Sequence, residues 1–150
     1  MEQGTSPAAS VGIFGGSGYS GRELLRWLRR HSRARVAFST GSTKPHIPHE
    51  DGLSRAADVY FLCLPHGTSA TYAQKLAAAH PTALIIDLSG DLRLRTPESY
   101  KRWYGHDHVA PELLPRAVFG LTEVFRSDLP GARLVSNPGC YATSAMLPLL

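Results

Sequence analysis

Short apolar runs alternate with amphipathic or alanine-rich stretches along most of the chain. Each apolar run is bounded by Gly, Pro, Ser or Asp, which is typical of buried parallel strands. The pattern predicts strands at residues 11–14, 35–39, 58–64, 83–88, 117–121 and 132–135. It predicts helices at residues 22–31, 69–79, 124–129 and 141–147, and a further helix that begins at residues 96–98. This alternation indicates the α/β class: a Rossmann-like, doubly wound, mostly parallel sheet with helices on both faces.

A glycine-rich loop joins the first predicted strand to the first predicted helix. Residues 15–21 fit both G-x-G-x-x-G and G-x-x-G-x-x-G. Glycines in such a loop let the backbone approach a pyrophosphate, which then rests on the helix N-terminus. Gly21 shares a helical stripe with Leu24, Leu25 and Leu28, so it is expected to face the sheet. The candidate cofactor-binding residues are Gly15, Ser17, Gly18, Tyr19, Ser20 and Gly21.

The end of the second predicted strand bears on the choice of dinucleotide. An NAD site requires an acidic residue there, about 20 residues past the loop. This chain instead has hydroxyl groups and a cation over residues 39–44. They suit the 2′-phosphate of NADP, with Thr40 and Ser42 as candidate contacts, although an ordinary polar loop explains them equally well.

Polar groups also follow the third and fourth predicted strands. Ligands of open α/β sheets bind at the carboxyl ends of the strands. Pro65 and His66 are therefore candidates for cofactor binding, and Ser89 and Arg93 for substrate binding. Arg93 suits an anionic substrate group, or it is simply a surface charge.

Cys140 lies between the last predicted strand and the last predicted helix, in the segment Ser136-Asn137-Pro138-Gly139-Cys140-Tyr141. Unpaired N–H groups and the dipole of a helix start favour a thiolate near neutral pH. The alternative is an inert buried thiol, since free Cys is among the most buried residue types. Cys63 lies within a predicted strand and is expected to belong to the core.

Composition narrows the class of ligand. The chain has 16 Lys and Arg and 12 Asp and Glu residues, a net charge of +4, which suits an anionic small molecule. Its cations are not interleaved with aromatic residues, so no nucleic acid is expected. The His46/His49 and His106/His108 pairs have no Cys near them, so no metal is expected. No apolar run of membrane-spanning length and no signal peptide is present, so we expect a cytoplasmic location and no membrane partner.

Together the motifs resemble the N-acetyl-gamma-glutamyl-phosphate reductase family. The matching pieces occur in the family's order at residues 15–24, 64–67, 87–94, 103–105, 110–114, 120–123 and 136–141. The family commonly has Ala where this chain has Gly16 and Gly90, and Pro where it has Thr122 and Ala142.

The resemblance implies an enzyme of arginine biosynthesis that reduces N-acetyl-glutamyl 5-phosphate to the 5-semialdehyde with NADPH. Cys140 would form a thioester with the substrate, and Asn137 would contact the substrate. We expect residues 1–10 to be a flexible tail and residues 11–150 to be an NADP-binding domain that ends in the Cys segment. A downstream substrate and dimerisation domain is expected to be missing. The 150 residues alone are then inactive, and the full-length protein is a homo-oligomer.

Other functions remain open from the sequence alone. Aspartate-semialdehyde dehydrogenase and the carrier-linked aminoadipyl-phosphate reductase belong to the same superfamily and act on other acyl phosphates. A non-catalytic NADP-binding or redox-sensing module is an alternative of a different class.

Overall fold

The first strand begins earlier than predicted. The computed structural model describes residues 8–150, and β1 (Ala9–Phe14) starts at Ala9, whose N–H donates to the Arg33 carbonyl oxygen at 2.9 Å. The predicted tail at residues 1–10 therefore overlaps β1 by Ala9 and Ser10. Its residues 1–7 lie outside the described part of the chain.

Six strands form a single parallel sheet in the described chain. The strands after β1 are β2 (Ala34–Ser39), β3 (Val59–Leu62), β4 (Leu84–Asp87), β5 (Val118–Phe119) and β6 (Leu134–Ser136). The order across the sheet is β2-β1-β3-β4-β6-β5, and every neighbouring pair is parallel. This order confirms the predicted Rossmann-like, doubly wound sheet.

The helices differ from the predictions mainly at their ends. They are α1 (Tyr19–Leu28), α2 (His49–Leu53), α3 (Thr68–Ala79), α4 (Pro97–Tyr104), α5 (Thr122–Phe125) and α6 (Cys140–Met146). Short 3₁₀ turns follow at Pro111–Arg116, Arg126–Asp128 and Leu147–Leu149. α1 starts within the glycine motif because Gly18 already serves as its N-cap, and α2 lies in a segment predicted to be an irregular loop. No helix within residues 8–150 is both long and apolar enough to cross a bilayer.

The core lies along β1 and β3 and beneath α3. Phe14, Tyr60 and Leu62 are fully buried, and Ala73 and Leu76 of α3 pack in the same cluster. Fully burying a large apolar side chain such as Leu stabilises the folded state by roughly 1.5–3 kcal/mol. The core therefore fixes the central strands, and with them the positions of the loops that follow.

The strand order reverses at β1. From β1 the chain passes to β2 on one side and then crosses to β3 on the other. Ligand sites of open α/β sheets lie outside the carboxyl ends of the strands at such a point. The loops after β1, β3, β4 and β6 all leave from that same edge, and they carry the candidate site residues.

Candidate active site

The glycine loop after β1 is closely packed. Gly15 has φ +86°, and a Cβ at this residue would collide with the Cys63 carbonyl oxygen. A Cβ at Gly21 would collide with the Gly15 carbonyl oxygen, so this glycine allows α1 to approach the loop that precedes it. Gly21 is buried, and its close neighbours are the loop residues Gly15 and Gly16 just after β1.

The N-terminus of α1 lies at the end of this loop. Gly18 is the N-cap, its N–H donates to the Gly15 carbonyl at 3.0 Å, and no described side chain caps the helix. Tyr19 and Ser20 are exposed. Free N–H groups of the first helical turn and the helix dipole together favour an anionic group, such as a pyrophosphate.

Thr40 occupies a different position from the one expected. Its side chain is fully buried, and its hydroxyl forms hydrogen bonds with the Gly15 N–H at 3.4 Å and with His49. Because the hydroxyl is engaged beneath the loop, it supports the loop and is not available to a 2′-phosphate. Ser42 is exposed, and its backbone N–H donates to Ser17 Oγ at 3.3 Å.

His66 is held from both sides of its ring. Its Nδ1 lies 2.7 Å from a carboxylate oxygen of Asp91, and its Nε2 lies 2.8 Å from the Tyr100 hydroxyl. The ring also packs against Tyr104, with ring centres 4.4 Å apart. Both nitrogens are engaged, so His66 presents a ring face and no free nitrogen to a ligand, and Pro65 beside it is exposed.

Ser89 is part of an internal network. Its hydroxyl donates to Asp87 Oδ2 at 2.8 Å and accepts from the Asp91 N–H at 3.0 Å, and the residue is buried. Asp87 also accepts from Ser69 Oγ. The Ser89 hydroxyl, predicted from the sequence as a substrate contact, thus holds the turn after β4 in this structure.

Arg93 links the turns after β4 and β6. Its Nε donates to the Asn137 carbonyl at 3.1 Å, and its Nη2 donates to the Leu88 carbonyl at 3.0 Å. Its third nitrogen, Nη1, lies against Gly139, where a Cβ would be only 2.6 Å away. Arg93 thus presents a fixed guanidinium beside the Cys segment.

One cleft is lined by residues from both the early and the late part of the chain. It has a volume of about 500 Å³ and is lined by Ser20, Leu88, Arg93 and residues 137–142. Cys140 is the first residue of α6 and is exposed. The thiol and the glycine-loop helix therefore face one cleft, at the carboxyl edge of the sheet.

Cys63, the second thiol, has a different environment. It is partly buried, and desolvation together with the nearby Asp87 charge raises the pKa of its thiol to about 12. Cys63 is thus a weak nucleophile at neutral pH. Within residues 8–150, no three His, Cys, Asp or Glu residues cluster to hold a metal ion.

Some residues of the site were not anticipated from sequence. Leu88, Pro138 and Ala142 line the cleft, and Tyr100 orients His66. Pro138 lies within the quoted Cys motif, which was its only signal in the sequence. Tyr100 carried no signal beyond its place on a predicted helix.

Several relatives of this chain are named as N-acetyl-gamma-glutamyl-phosphate reductases. The N-acetyl-gamma-glutamyl-phosphate reductases of Afipia carboxidovorans and Rhodospirillum rubrum are 41% and 44% identical over 93% and 97% of this chain. A rice protein named as a probable chloroplastic form is 43% identical over 93%. The chain spans only 46%, 47% and 37% of the lengths of the Afipia, Rhodospirillum and rice proteins, respectively.

Solved structures show the same fold. Aspartate semialdehyde dehydrogenase II from Vibrio cholerae matches 95% of the chain with a TM-score of 0.66 at 16% identity, and the chain covers 45% of it. The family model described as "Semialdehyde dehydrogenase, NAD binding domain" matches residues 10–132. With the glycine loop, the parallel sheet and this match, the chain belongs to the semialdehyde dehydrogenase family, through its NAD-binding domain.

Proposed function

We propose that the full-length protein is an NADPH-dependent N-acetyl-gamma-glutamyl-phosphate reductase of arginine biosynthesis. The observation that carries this proposal is the single cleft lined by Ser20 of the glycine-loop helix and by Cys140. The names of the relatives favour this acyl phosphate over aspartyl phosphate.

Cys140 is proposed as the nucleophile. Its thiolate attacks the acyl carbon of N-acetyl-glutamyl 5-phosphate, phosphate leaves, and a thioester remains on the sulfur. NADPH, when bound, supplies the hydride that reduces the thioester. Collapse of the resulting thiohemiacetal releases the semialdehyde and frees the thiol.

Arg93 is proposed to bind an anionic group of the substrate. Two backbone carbonyls hold its guanidinium in place, so it can meet the anion without first being ordered. Asn137 is exposed in the same cleft, but its side-chain amide donates to the Pro138 carbonyl at 3.1 Å. A second donor hydrogen of that amide serves the substrate carbonyl.

The cofactor is proposed to be NADP rather than NAD. β2 ends without an acidic residue, and an acidic residue there is what recognises the free ribose hydroxyl of NAD. The same proposal takes residues 11–150 as the cofactor domain. The family resemblance implies a further catalytic His, which this proposal assigns to a downstream domain, and the full-length enzyme is proposed to be a cytoplasmic homo-oligomer. The 150 residues alone are expected to show no turnover.

Steady-state assays of the full-length protein test this proposal. We expect NADPH oxidation with N-acetyl-glutamyl phosphate, little with aspartyl phosphate, and a loss of about a thousandfold or more in Cys140→Ser. Cys63→Ala is the matched control, and it should keep most of the activity because Cys63 does not line the cleft and the raised pKa of its thiol makes it a weak nucleophile. A preference for aspartyl phosphate, or an active Cys140→Ser variant, would refute the proposed reductase function.

A further inference from the structure

Thr40 is joined to the start of the glycine loop through three of its atoms. Its N–H donates to the Ile13 carbonyl at 2.8 Å, its carbonyl accepts from the Gly16 N–H at 2.7 Å, and its hydroxyl accepts from the Gly15 N–H at 3.4 Å. The residue is fully buried. The position of the loop backbone therefore depends on how firmly Thr40 itself is held.

The short helix α2 packs against Thr40. A Cβ at Gly52 would lie 2.6 Å from Thr40 Cγ2 and 3.0 Å from the Phe14 ring, so this glycine allows the helix to come close. At the start of α2, His49 Nδ1 forms a hydrogen bond with the Thr40 hydroxyl, and the His49 ring stacks on Phe14 with ring centres 6.4 Å apart. α2 thus contacts Thr40 through both its first and its fourth residue.

The bond between His49 and Thr40 has a defined direction. The hydroxyl hydrogen of a buried Thr needs an acceptor. Within residues 8–150, the partners of this hydroxyl are the Gly15 N–H, which can only donate, and the His49 ring. His49 Nδ1 therefore accepts, and the proton of the neutral ring is on Nε2. A protonated ring carries a hydrogen on Nδ1 as well, so the Thr40 hydroxyl would lose its acceptor.

The surroundings of His49 favour the neutral ring near pH 7. Desolvation lowers the pKa of His49, and the neighbouring Glu50 charge partly offsets this shift. From α3, the Tyr72 ring packs against His49 with ring centres 5.7 Å apart, and Lys75 pairs with Glu50 at 3.3 Å. The side chains that face His49 from β1 and from the end of β2 are uncharged.

We propose that His49 is a positioning residue for dinucleotide binding: its neutral ring orients the Thr40 hydroxyl towards the Gly15 N–H, and a proton on the ring weakens this support of the glycine loop. The inference rests on the proposed use of a nicotinamide dinucleotide, whose pyrophosphate needs the loop backbone in place. His49 acts through Thr40 and does not itself contact the cofactor. Affinity should therefore be highest above the pKa of His49 and fall as the pH drops through it.

The pH dependence of cofactor affinity tests this role. The dissociation constants of NADP and NAD are measured by calorimetry on full-length wild type and His49→Asn between about pH 5 and pH 8. Asn places an acceptor that does not titrate near the position of Nδ1, so it should keep most of the affinity at neutral pH. As the pH falls, we expect wild type to lose about threefold or more relative to His49→Asn. The loss should be alike for NADP and NAD, because both carry the pyrophosphate.

Further variants separate positioning from packing. His49→Leu fills similar space without an acceptor and should weaken both dinucleotides about fivefold at neutral pH. Thr40→Val should cost as much, and the double variant no more than either alone, because all three remove the same hydrogen bond. His31→Asn is the matched control: it removes an exposed histidine beyond α1 and should follow the wild-type pH profile.

Two results would overturn the inference while leaving the reductase proposal intact. One is a His49→Asn profile that runs parallel to that of wild type. The other is a His49→Leu variant that unfolds at lower urea concentration but binds both dinucleotides as wild type does, since His49 would then only stabilise the fold. If wild type binds neither NADP nor NAD, the proposed cofactor use fails, and the role of His49 fails with it.

Discussion

Gly16 and Gly90, where the family resemblance leads us to expect Ala, each lie against an aromatic side chain. A Cβ at Gly16 would lie 2.8 Å from His46, and one at Gly90 would lie 2.8 Å from the Tyr104 hydroxyl oxygen. At each glycine, a side chain from another segment occupies the space that an alanine methyl group would need: His46 at Gly16 and Tyr104 at Gly90. These departures from the family pattern are thus paired with His46 and Tyr104.

Substitutions in the glycine loop separate backbone clashes from side-chain clashes. Gly21→Ala should cost about 2 kcal/mol or more of unfolding free energy, since its Cβ would meet backbone atoms of Gly15 and Gly16. Gly16→Ala should cost less than about 1 kcal/mol, because a His46 ring can move aside. Urea unfolding measures both, and the Gly16→Ala cost should shrink in a His46→Ala background. Equal costs for the two alanines would contradict this account.

The two thiols should differ sharply in reactivity. Cys140 is exposed, whereas Cys63 is only partly exposed and the pKa of its thiol is raised to about 12, chiefly by desolvation. With iodoacetamide at neutral pH, we expect Cys140 to be alkylated about 100-fold faster or more, as followed by peptide mass spectrometry. In urea the two rates should converge, which serves as the control. Similar rates in the folded protein would remove the argument for Cys140 as nucleophile.

The kinds of residue at the site were predictable, but not which hydroxyls would face outward. Thr40 and Ser89 both occur at strand ends, where polar side chains commonly meet ligands. The structure directs both inward, to His49 and to Asp87 respectively. A hydroxyl that bonds within the protein and one that faces a ligand occur at the same place in the sequence, just after a strand. The sequence pattern therefore cannot tell the two roles apart.

At the scale of elements, α3 is held at its start by a side chain from another loop. The buried Asp91 carboxylate accepts from the Gly67 N–H at 2.8 and 2.9 Å and from the Ala70 N–H at 2.8 Å. Gly67 is the N-cap of α3 and Ala70 lies in its first turn, where N–H groups have no partner within the helix. The cap therefore joins the turn after β4 to the helix that precedes β4.

Loss of the Asp91 cap should destabilise the folded protein. We expect Asp91→Ala to lower the free energy of unfolding by about 2–4 kcal/mol, since it leaves buried donors without an acceptor. Thr96→Ala is the control, because Thr96 caps α4 at an exposed position by accepting from the Ser99 N–H, and it should cost about 1 kcal/mol. Chemical denaturation measures both, and an Asp91 effect no larger than that of Thr96 would show that the cap matters little.

Elements with long apolar or amphipathic patterns were predicted, and short ones were not. α3 and β3 have patterns strong enough to locate them. β5 was predicted longer than its two residues, and α2 was missed. Both are brief segments whose conformation depends on tertiary neighbours, β6 in one case and β1 and α3 in the other, rather than on local periodicity.

For the whole molecule, the buried Asp87 predicts a pH dependence of stability. Burial, with a smaller contribution from the Asp91 charge, raises the pKa of Asp87 in the folded protein. The folded state then binds this proton more tightly than the unfolded state, whose carboxyl titrates near a pKa of about 3.9. Stability from this group is fully present below that pKa and is lost as the pH rises through the raised value.

Asp87→Asn should remove this dependence. In urea titrations between about pH 4 and pH 7, we expect the wild type to lose stability relative to the variant as the pH rises. Asp107→Asn is a surface control whose difference from wild type should stay nearly constant, because Asp107 is exposed and pairs with Lys101. A constant difference for Asp87→Asn would mean that its titration is not linked to folding.

The place of β6 has a consequence for nascent and cleaved chains. Within the described sheet, β5 pairs only with β6, although it precedes β6 in the chain. It therefore cannot join the sheet before β6 has been synthesised. Until then β4, with its apolar sequence Leu84–Asp87, forms the open border of the sheet. An unpaired apolar border readily recruits a strand from another molecule. A polypeptide that stops short of Leu134 should therefore aggregate, and a chaperone that shields this border would act during that interval of synthesis.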